Sequence, residues 1–167
     1  MDLEAQIAKA DEGDRHAQLA AAFRLAKDKQ FERAHKYYKQ AAAAGLAVAQ
    51  HNLASMYFNG TGCTQDINEA CRWYEAAAAQ GDADSQFSLG VIYSSGKELD
   101  QDDQLALKWF KAAAENGSAR GQYDLGLIYE YGRGVPKDLQ QALKWYEEAA
   151  NQGVEKARQR VLKLRNK

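Results

Sequence analysis

Apolar and small residues recur along this chain with the spacing of a helix face, and the face itself recurs. Ala70, Trp73, Tyr74, Ala77 and Ala78 stand at i, i+3, i+4, i+7 and i+8, which puts them on one side of an α-helix. Ala106, Trp109, Phe110, Ala113 and Ala114 repeat the pattern, as do Ala142, Trp145, Tyr146, Ala149 and Ala150. Before the first two of these runs lie Ala49, Leu53, Met56, Tyr57 and then Ser85, Leu89, Ile92, Tyr93, again with helical period. Each unit therefore predicts a helical hairpin.

The period is read from the glycines: Gly45, Gly81, Gly117 and Gly153 are 36 residues apart. Other columns keep step, among them Leu53, Leu89 and Leu125; Tyr57, Tyr93 and Tyr129; Gly60, Gly96 and Gly132. Ala34, Ala70, Ala106 and Ala142 extend the register into the first unit, with Tyr37, Trp73, Trp109 and Trp145 and with Tyr38, Tyr74, Phe110 and Tyr146. The first unit is shorter: Gly13-Asp14, Ala17-Gln18, Ala21 and Leu25 match later columns at a step of 32. A period of about 20–50 residues marks a solenoid or array. The predicted organisation is one domain, 1–167, of units at approximately 13–44, 45–80, 81–116 and 117–152, with caps 1–12 and 153–167.

Helix ends are marked too. Asp66, Asp102 and Asp138 occupy N-cap positions, where a carboxylate accepts from orphan N–H groups. Asp66 with Glu69, and Asp138 with Gln141, have capping-box spacing. The 36-residue glycine column supplies the left-handed turn that stops the second helix. Ala22, Ala54, Gly90 and Gly126 form a small-residue column on the first helix. It predicts close helix approach, with the Trp column filling the space beyond the crossing. On that expectation Trp109→Ala costs about 3–5 kcal/mol. A lone hairpin cannot bury both stripes, so stability is expected from stacked neighbours.

Composition agrees. Of 167 residues, 31 are Ala, the best helix former, and Pro136 is the only proline. No apolar run is long enough for a membrane span. The opening, Met1-Asp2-Leu3-Glu4, is acidic and lacks the apolar core of a secretory signal. That predicts a cytoplasmic protein, or a periplasmic one if a leader has been removed. The formal charge of −1 is an average: Lys156, Arg158, Arg160, Lys163, Arg165 and Lys167 are cationic, and removing them leaves −7 for residues 1–155. The basic run is read as a helix whose cations suit its negative end. The alternatives are an acidic partner, an anionic lipid or a nucleic acid.

These columns resemble the Sel-one-like repeat family, relatives of the tetratricopeptide repeat, over roughly residues 13–153. The fourth unit fits best, with Gln122, Leu125-Gly126, Tyr129, Gly132-Arg133-Gly134-Val135, Asp138, Ala142 and Trp145-Tyr146. Cys63 replaces the loop valine in the second unit, and the third loop reads Gly96-Lys97-Glu98-Leu99. The first unit lacks this loop and looks more like a plain tetratricopeptide unit. The resemblance implies an all-α, right-handed superhelical solenoid of antiparallel helix pairs that binds proteins or peptides. It also implies the roles open to the family: scaffold, signalling adaptor or inhibitor of a cognate toxin.

First-helix positions not used by the hairpin core are the candidate partner-binding residues: Leu19, Phe23 and Ala26; His51, Ser55 and Phe58; Phe87, Val91 and Ser94; Tyr123, Leu127 and Glu130. In the tetratricopeptide architecture this stripe lines the concave surface. Its apolar content marks an interaction surface. Asn52, Asn59, Asp84, Ser88, Arg120, Asp124 and Tyr131 are neighbouring polar groups able to set the register of a peptide. The competing reading of Phe87 and Tyr123 is packing between adjacent first helices. Gln18, Gln50, Gln86 and Gln122 repeat with the fold and are read as helix-edge hydrogen bonders.

No catalytic, cofactor or metal site is expected. His16, His35 and His51 have no zinc spacing, and His35 shares a packing column with Cys71, Leu107 and Leu143. Cys63 and Cys71 stand where siblings are aliphatic and are read as buried thiols, with a loop-to-helix disulfide as the alternative. Residues 131–136, glycine-rich, lack the G-K-[ST] ending of a phosphate loop. Glu98, Asp100, Asp102 and Asp103 lack calcium-loop order. The expectation is a non-enzymatic adaptor or scaffold. A dedicated toxin inhibitor is the alternative, and a hydrolase or a basic-tail tether to membrane or nucleic acid is weaker. No small-molecule substrate or nucleic-acid partner is expected, and self-association is left open.

Overall fold

Aspartates and glycines punctuate the chain into helices of nearly equal length. The structure is a computed structural model and describes residues 3–166; Met1 and Asp2 of the opening segment and Lys167 of the basic run lie outside the described residues. Among the described residues there are ten α-helices and no strand: α1 (Leu3–Asp11), α2 (Arg15–Lys27), α3 (Phe31–Ala43), α4 (Ala47–Asn59), α5 (Ile67–Ala78), α6 (Ala83–Ser95), α7 (Asp103–Glu115), α8 (Ala119–Tyr131), α9 (Leu139–Asn151) and α10 (Glu155–Arg165). None is long and apolar enough to cross a membrane. The helices group into two compact units that divide after Asp82. The first holds α1 and the hairpins α2/α3 and α4/α5. The second holds α6/α7, α8/α9 and α10.

The predicted caps form. Asp66 accepts from the Glu69 backbone N–H at 3.0 Å, and Asp102 from those of Gln104 and Leu105 at 2.9 Å each. Asp138 accepts from Gln140 and Gln141. The same aspartates close the long connectors, because their own N–H groups donate to Tyr57, Tyr93 and Tyr129 carbonyls at 2.9–3.0 Å. The Glu69 side chain does not complete a capping box; it binds Arg72 and the Trp73 indole N–H instead. Gly45, Gly81, Gly117 and Gly153 all have φ between 85° and 90°, the left-handed turn that lets each second helix stop.

The hairpin core differs from expectation at one column. Tyr38, Tyr74, Phe110 and Tyr146 are the buried rings, at 0–5% exposure, whereas Trp73, Trp109 and Trp145 are half-buried. The apolar stripe of each second helix is centred on the i+4 residue. The tryptophan at i+3 lies one helix step to the side, where its indole covers the flank and its polar edge stays reachable. Arg72, Lys108 and Lys144 lie over the three indoles at 4.5–5.3 Å, an arrangement of half-exposed aromatic groups.

The small-residue column seats those buried rings. A Cβ added at Gly90 would stand 2.8 Å from the Phe110 ring, and one added at Gly126 would stand 2.6 Å from the Tyr146 ring. Ala22 and Ala54 hold the same column in the first unit and are fully buried. Phe110→Ala is therefore expected to cost about 3–5 kcal/mol, and Trp109→Ala clearly less. Urea melts of the two variants decide this, and equal losses would return the tryptophan to the core.

Candidate partner-binding face

Three of the repeated glutamines tie their helix to the helix before it. The Gln18, Gln50 and Gln122 side-chain amides donate to the carbonyls of Ala10, Ala42 and Ala114 at 3.2–3.3 Å, across the glycine connector. Their carbonyl oxygens are used as well: Gln50 and Gln122 accept from Gln80 and Gln152 at 2.7 and 2.8 Å. Gln86 accepts from Asn116 at 3.0 Å. All four glutamines are buried and belong to the fold, which leaves the stripe beside them as the candidate face.

In the first unit that stripe runs along α2 and α4. Phe23 is 45% exposed and sets its ring edge-on to Tyr38 at 5.6 Å. Leu19, Ala26, Ser55 and Phe58 are half-buried. His51 is also half-buried, against Tyr74, with Nδ1 3.4 Å from Asp82. A hollow of about 140 Å³ lies between Ala26, Tyr38, Asn52, Ser55 and Thr61. Asn52 and Asn59 donate to the carbonyls of Val48 and Ser55, one turn back.

In the second unit the stripe runs along α6 and α8. Val91 is 40% exposed, while Phe87, Ser94, Tyr123 and Leu127 are half-buried. Phe87 and Tyr123 lean on the buried Phe110 and Tyr146 rings at 5.8 and 5.7 Å. Their packing is thus mainly onto the second helix of their own hairpin. The Arg120 guanidinium lies over Phe87 at 4.7 Å and binds Asp84 at 2.8 Å. Ser88 donates to the Asp84 carbonyl.

Glu130 departs from expectation. It is 7% exposed, accepts from the Tyr146 hydroxyl at 2.6 Å, and is bound by Arg160 at 3.2 Å. Its carboxylate holds α10 onto the fourth hairpin and is not presented to a partner. Arg160 also reaches the Tyr131 hydroxyl at 3.2 Å, although Tyr131 itself remains 54% exposed. Arg165 binds Glu147, and Arg158 binds Glu155. Half of the basic run thereby has local partners.

Between Val91, Ser94, Asp103, Asp124, Leu127 and Arg133 there is a cavity of about 130 Å³. Asp103 and Arg133 were not among the candidate residues. The available signal was a broken column: Phe31, Ile67 and Leu139 are the siblings of Asp103. Burial pushes the Asp124 carboxyl up to about 6, against the opposing pull of Arg120, Arg133 and Lys156.

His35, Cys63 and Cys71 are packing groups. His35 packs edge-on to Tyr57 at 5.1 Å with a buried, unpaired Nε2, and burial lowers its pKa. Cys63 and Cys71 are free thiols, and burial pushes Cys71 up to about 11. His16 is exposed at the start of α2. Among the described residues no group of three or more His, Cys, Asp or Glu is placed to hold a metal.

The model of the Sel1 repeat matches residues 19–46, 47–82, 83–118 and 119–154. The chain belongs to the Sel1 repeat family. Sel1 repeat proteins are protein-interaction modules. The match includes the first hairpin, which lacks the glycine loop. The chain is similar to a Sel1 repeat protein from Oxalobacter formigenes at 34% identity and a TM-score of 0.80, over 89% of this chain and 62% of that one. It is similar to a protective antigen of uropathogenic Escherichia coli with an SLR fold at 35% identity and a TM-score of 0.89, over 94% of this chain and 34% of that one. It therefore spans less than two thirds of either relative. Helicobacter pylori cysteine rich protein B is similar at 25% identity and a TM-score of 0.58, over 74% of this chain and 93% of that one. No curated protein matches the chain in sequence.

Asp124 is expected to give this Sel1 repeat protein a pH-dependent stability. Its folded pKa of about 6 lies above the ordinary 3.8, so the folded state holds a proton that the unfolded chain has released. Stability contributed by that proton is complete below about pH 4 and is lost as pH rises through about 6. Asp124→Asn is expected to raise the urea midpoint at pH 7.5 and to leave it nearly unchanged at pH 3.5.

Proposed function

We infer that this protein is a non-enzymatic adaptor that holds a peptide or protein surface against the first-helix face of its repeats. The observation that carries the reading is the exposure of large apolar side chains on that stripe. Phe23 on α2 and Val91 on α6 are exposed, while Ala22 and Leu25 beside the first and Leu89 and Ile92 beside the second are buried. An exposed apolar group is ordinary by itself. Its recurrence on the same helix of different repeats, beside half-buried Phe58 and Leu127, is what an interaction face requires. Each compact unit carries its own such face.

The absence of a nucleophile–base pairing among the sequence motifs supports binding without chemistry. Anchors that are partly free, such as Phe23, Val91 and Leu127, are better placed for a partner than Phe87 and Tyr123, which lean on core rings.

The test uses a partner recovered by cross-linking from native extract and then purified. Val91→Ser and Leu127→Ser are each expected to raise its Kd about tenfold, the effect of losing roughly 1.4 kcal/mol of anchor contact. Helical content should stay unchanged. Unaltered affinity in both variants, with Phe23→Ser equally silent, contradicts this face.

A further inference from the structure

We propose that the cavity between α6, α7 and α8 receives a lysine side chain of the bound partner, its methylenes against Val91 and Leu127 and its ammonium between Asp124, Asp103 and Ser94. This deepens the reading of the first-helix face and rests on it. The lining combines apolar side chains, Val91, Ala106, Phe110, Leu127 and Ile128, that suit a four-carbon stem with acceptors, Ser94, Asp103 and Asp124, that suit a charge. Long cationic side chains bury their stems in this way while the head finds polar groups.

The acceptors have capacity to spare. Among the described residues, no hydrogen bond or ion pair engages the Asp124 carboxylate. Ser94 donates its hydroxyl hydrogen to the Val91 carbonyl at 3.1 Å, which leaves its oxygen lone pairs for an incoming donor. Asp103 accepts one bond, from the Gln101 side chain at 2.9 Å. An ammonium brings three donors and no acceptor, which matches the three acceptor-bearing residues that line this small cavity.

The charges around Asp124 decide the sign of the ligand. Arg120, on the same helix, is committed to Asp84 at 2.8 Å. Lys156, on α10, and Arg133, in the connector after α8, act on Asp124 only at range. Arg133 is exposed and stands over the Tyr131 ring at 5.8 Å. Asp103, on α7, faces the cavity with Asp124 and continues the acidic connector of Glu98, Asp100 and Asp102. An anion would meet two carboxylates for one arginine, whereas a cation meets the majority charge. Burial raises the Asp124 pKa, and an arriving cation relieves the cost of holding that carboxylate ionised.

The probe is Nα-acetyl-lysine amide, titrated into the full chain while the backbone amide resonances of Val91, Ser94 and Leu127 are followed. Saturable shifts are expected at pH 7.5, weakening at pH 5 as Asp124 takes up its proton. Asp124→Asn should weaken binding about tenfold or more, the loss of one charge-assisted hydrogen bond. Arg133→Gln, by removing a competing cation, should strengthen it. Nα-acetyl-norleucine amide, which has an uncharged stem, should not saturate. Equal binding of the norleucine compound, an indifferent Asp124→Asn, or saturation by Nα-acetyl-glutamate amide instead overturns the proposal. If the lysine compound fails while Leu127→Ser still weakens the purified partner, the subsite falls and the face stands. If the lysine compound binds while Val91→Ser and Leu127→Ser leave the partner untouched, the cavity is a cation site apart from the face.

Discussion

The interaction on which this architecture depends is an aromatic ring laid on a residue with little or no side chain. Each second helix contributes a buried ring, α3 two of them in Tyr37 and Tyr38, and the first helices carry alanine or glycine in the facing column, with Gly90 and Gly126 directly against the Phe110 and Tyr146 rings. At Gly90 and Gly126 even a single methyl would overlap the ring by well over half an ångström of normal contact. This seat fixes how closely the two helices of a hairpin approach. It thereby fixes which first-helix positions lie off the packed column, two, six and nine residues along from it, where Phe23 and Val91 reach the surface and Glu130 is drawn inward by Tyr146 and Arg160. The face assigned to a partner is a by-product of where the ring goes.

Much of the fold was legible because it is written four times. One aspartate proves little, but Asp66, Asp102 and Asp138 at one spacing identify a cap, and the structure places each carboxylate on the N–H groups expected. The tryptophan column misled because helical period alone puts i+3 and i+4 on the same face. Only the neighbouring helix decides which one faces the core, and the partner column was equally visible: a glycine opposite a ring admits the i+4 residue. Glu130 and Asp124 were harder. They differ from their siblings in charge, and sequence alone does not say whether a charge in a packing column is exposed, paired or left unmatched. Glu130 proved paired, through Tyr146 and Arg160. Asp124 proved half-buried, with no hydrogen bond or ion pair of its own among the described residues.

That difference separates structure from function within one hairpin. Glu130, Tyr146 and Arg160 form a closed set in which the positive end segment is anchored, and Arg165 adds a second attachment at Glu147. A buried charge left without its partner is strongly destabilising, so this set is expected to stay closed. Asp124 and Asp103 line an open cavity beside exposed Val91 and half-buried Leu127, where the proposed lysine satisfies what the fold leaves unmatched. The near-zero net charge of the chain hides this division.

The central claim is that the ring and its small seat act as one unit, and a double-mutant cycle on the third hairpin measures it most directly. Urea unfolding of Gly90→Ala, Phe110→Leu and the double variant gives the coupling between the two positions. The account predicts that alanine at position 90 is costly beside the intact ring and nearly harmless once leucine replaces it, with a coupling of about 1 kcal/mol or more. Additive losses, within roughly 0.5 kcal/mol, would contradict it.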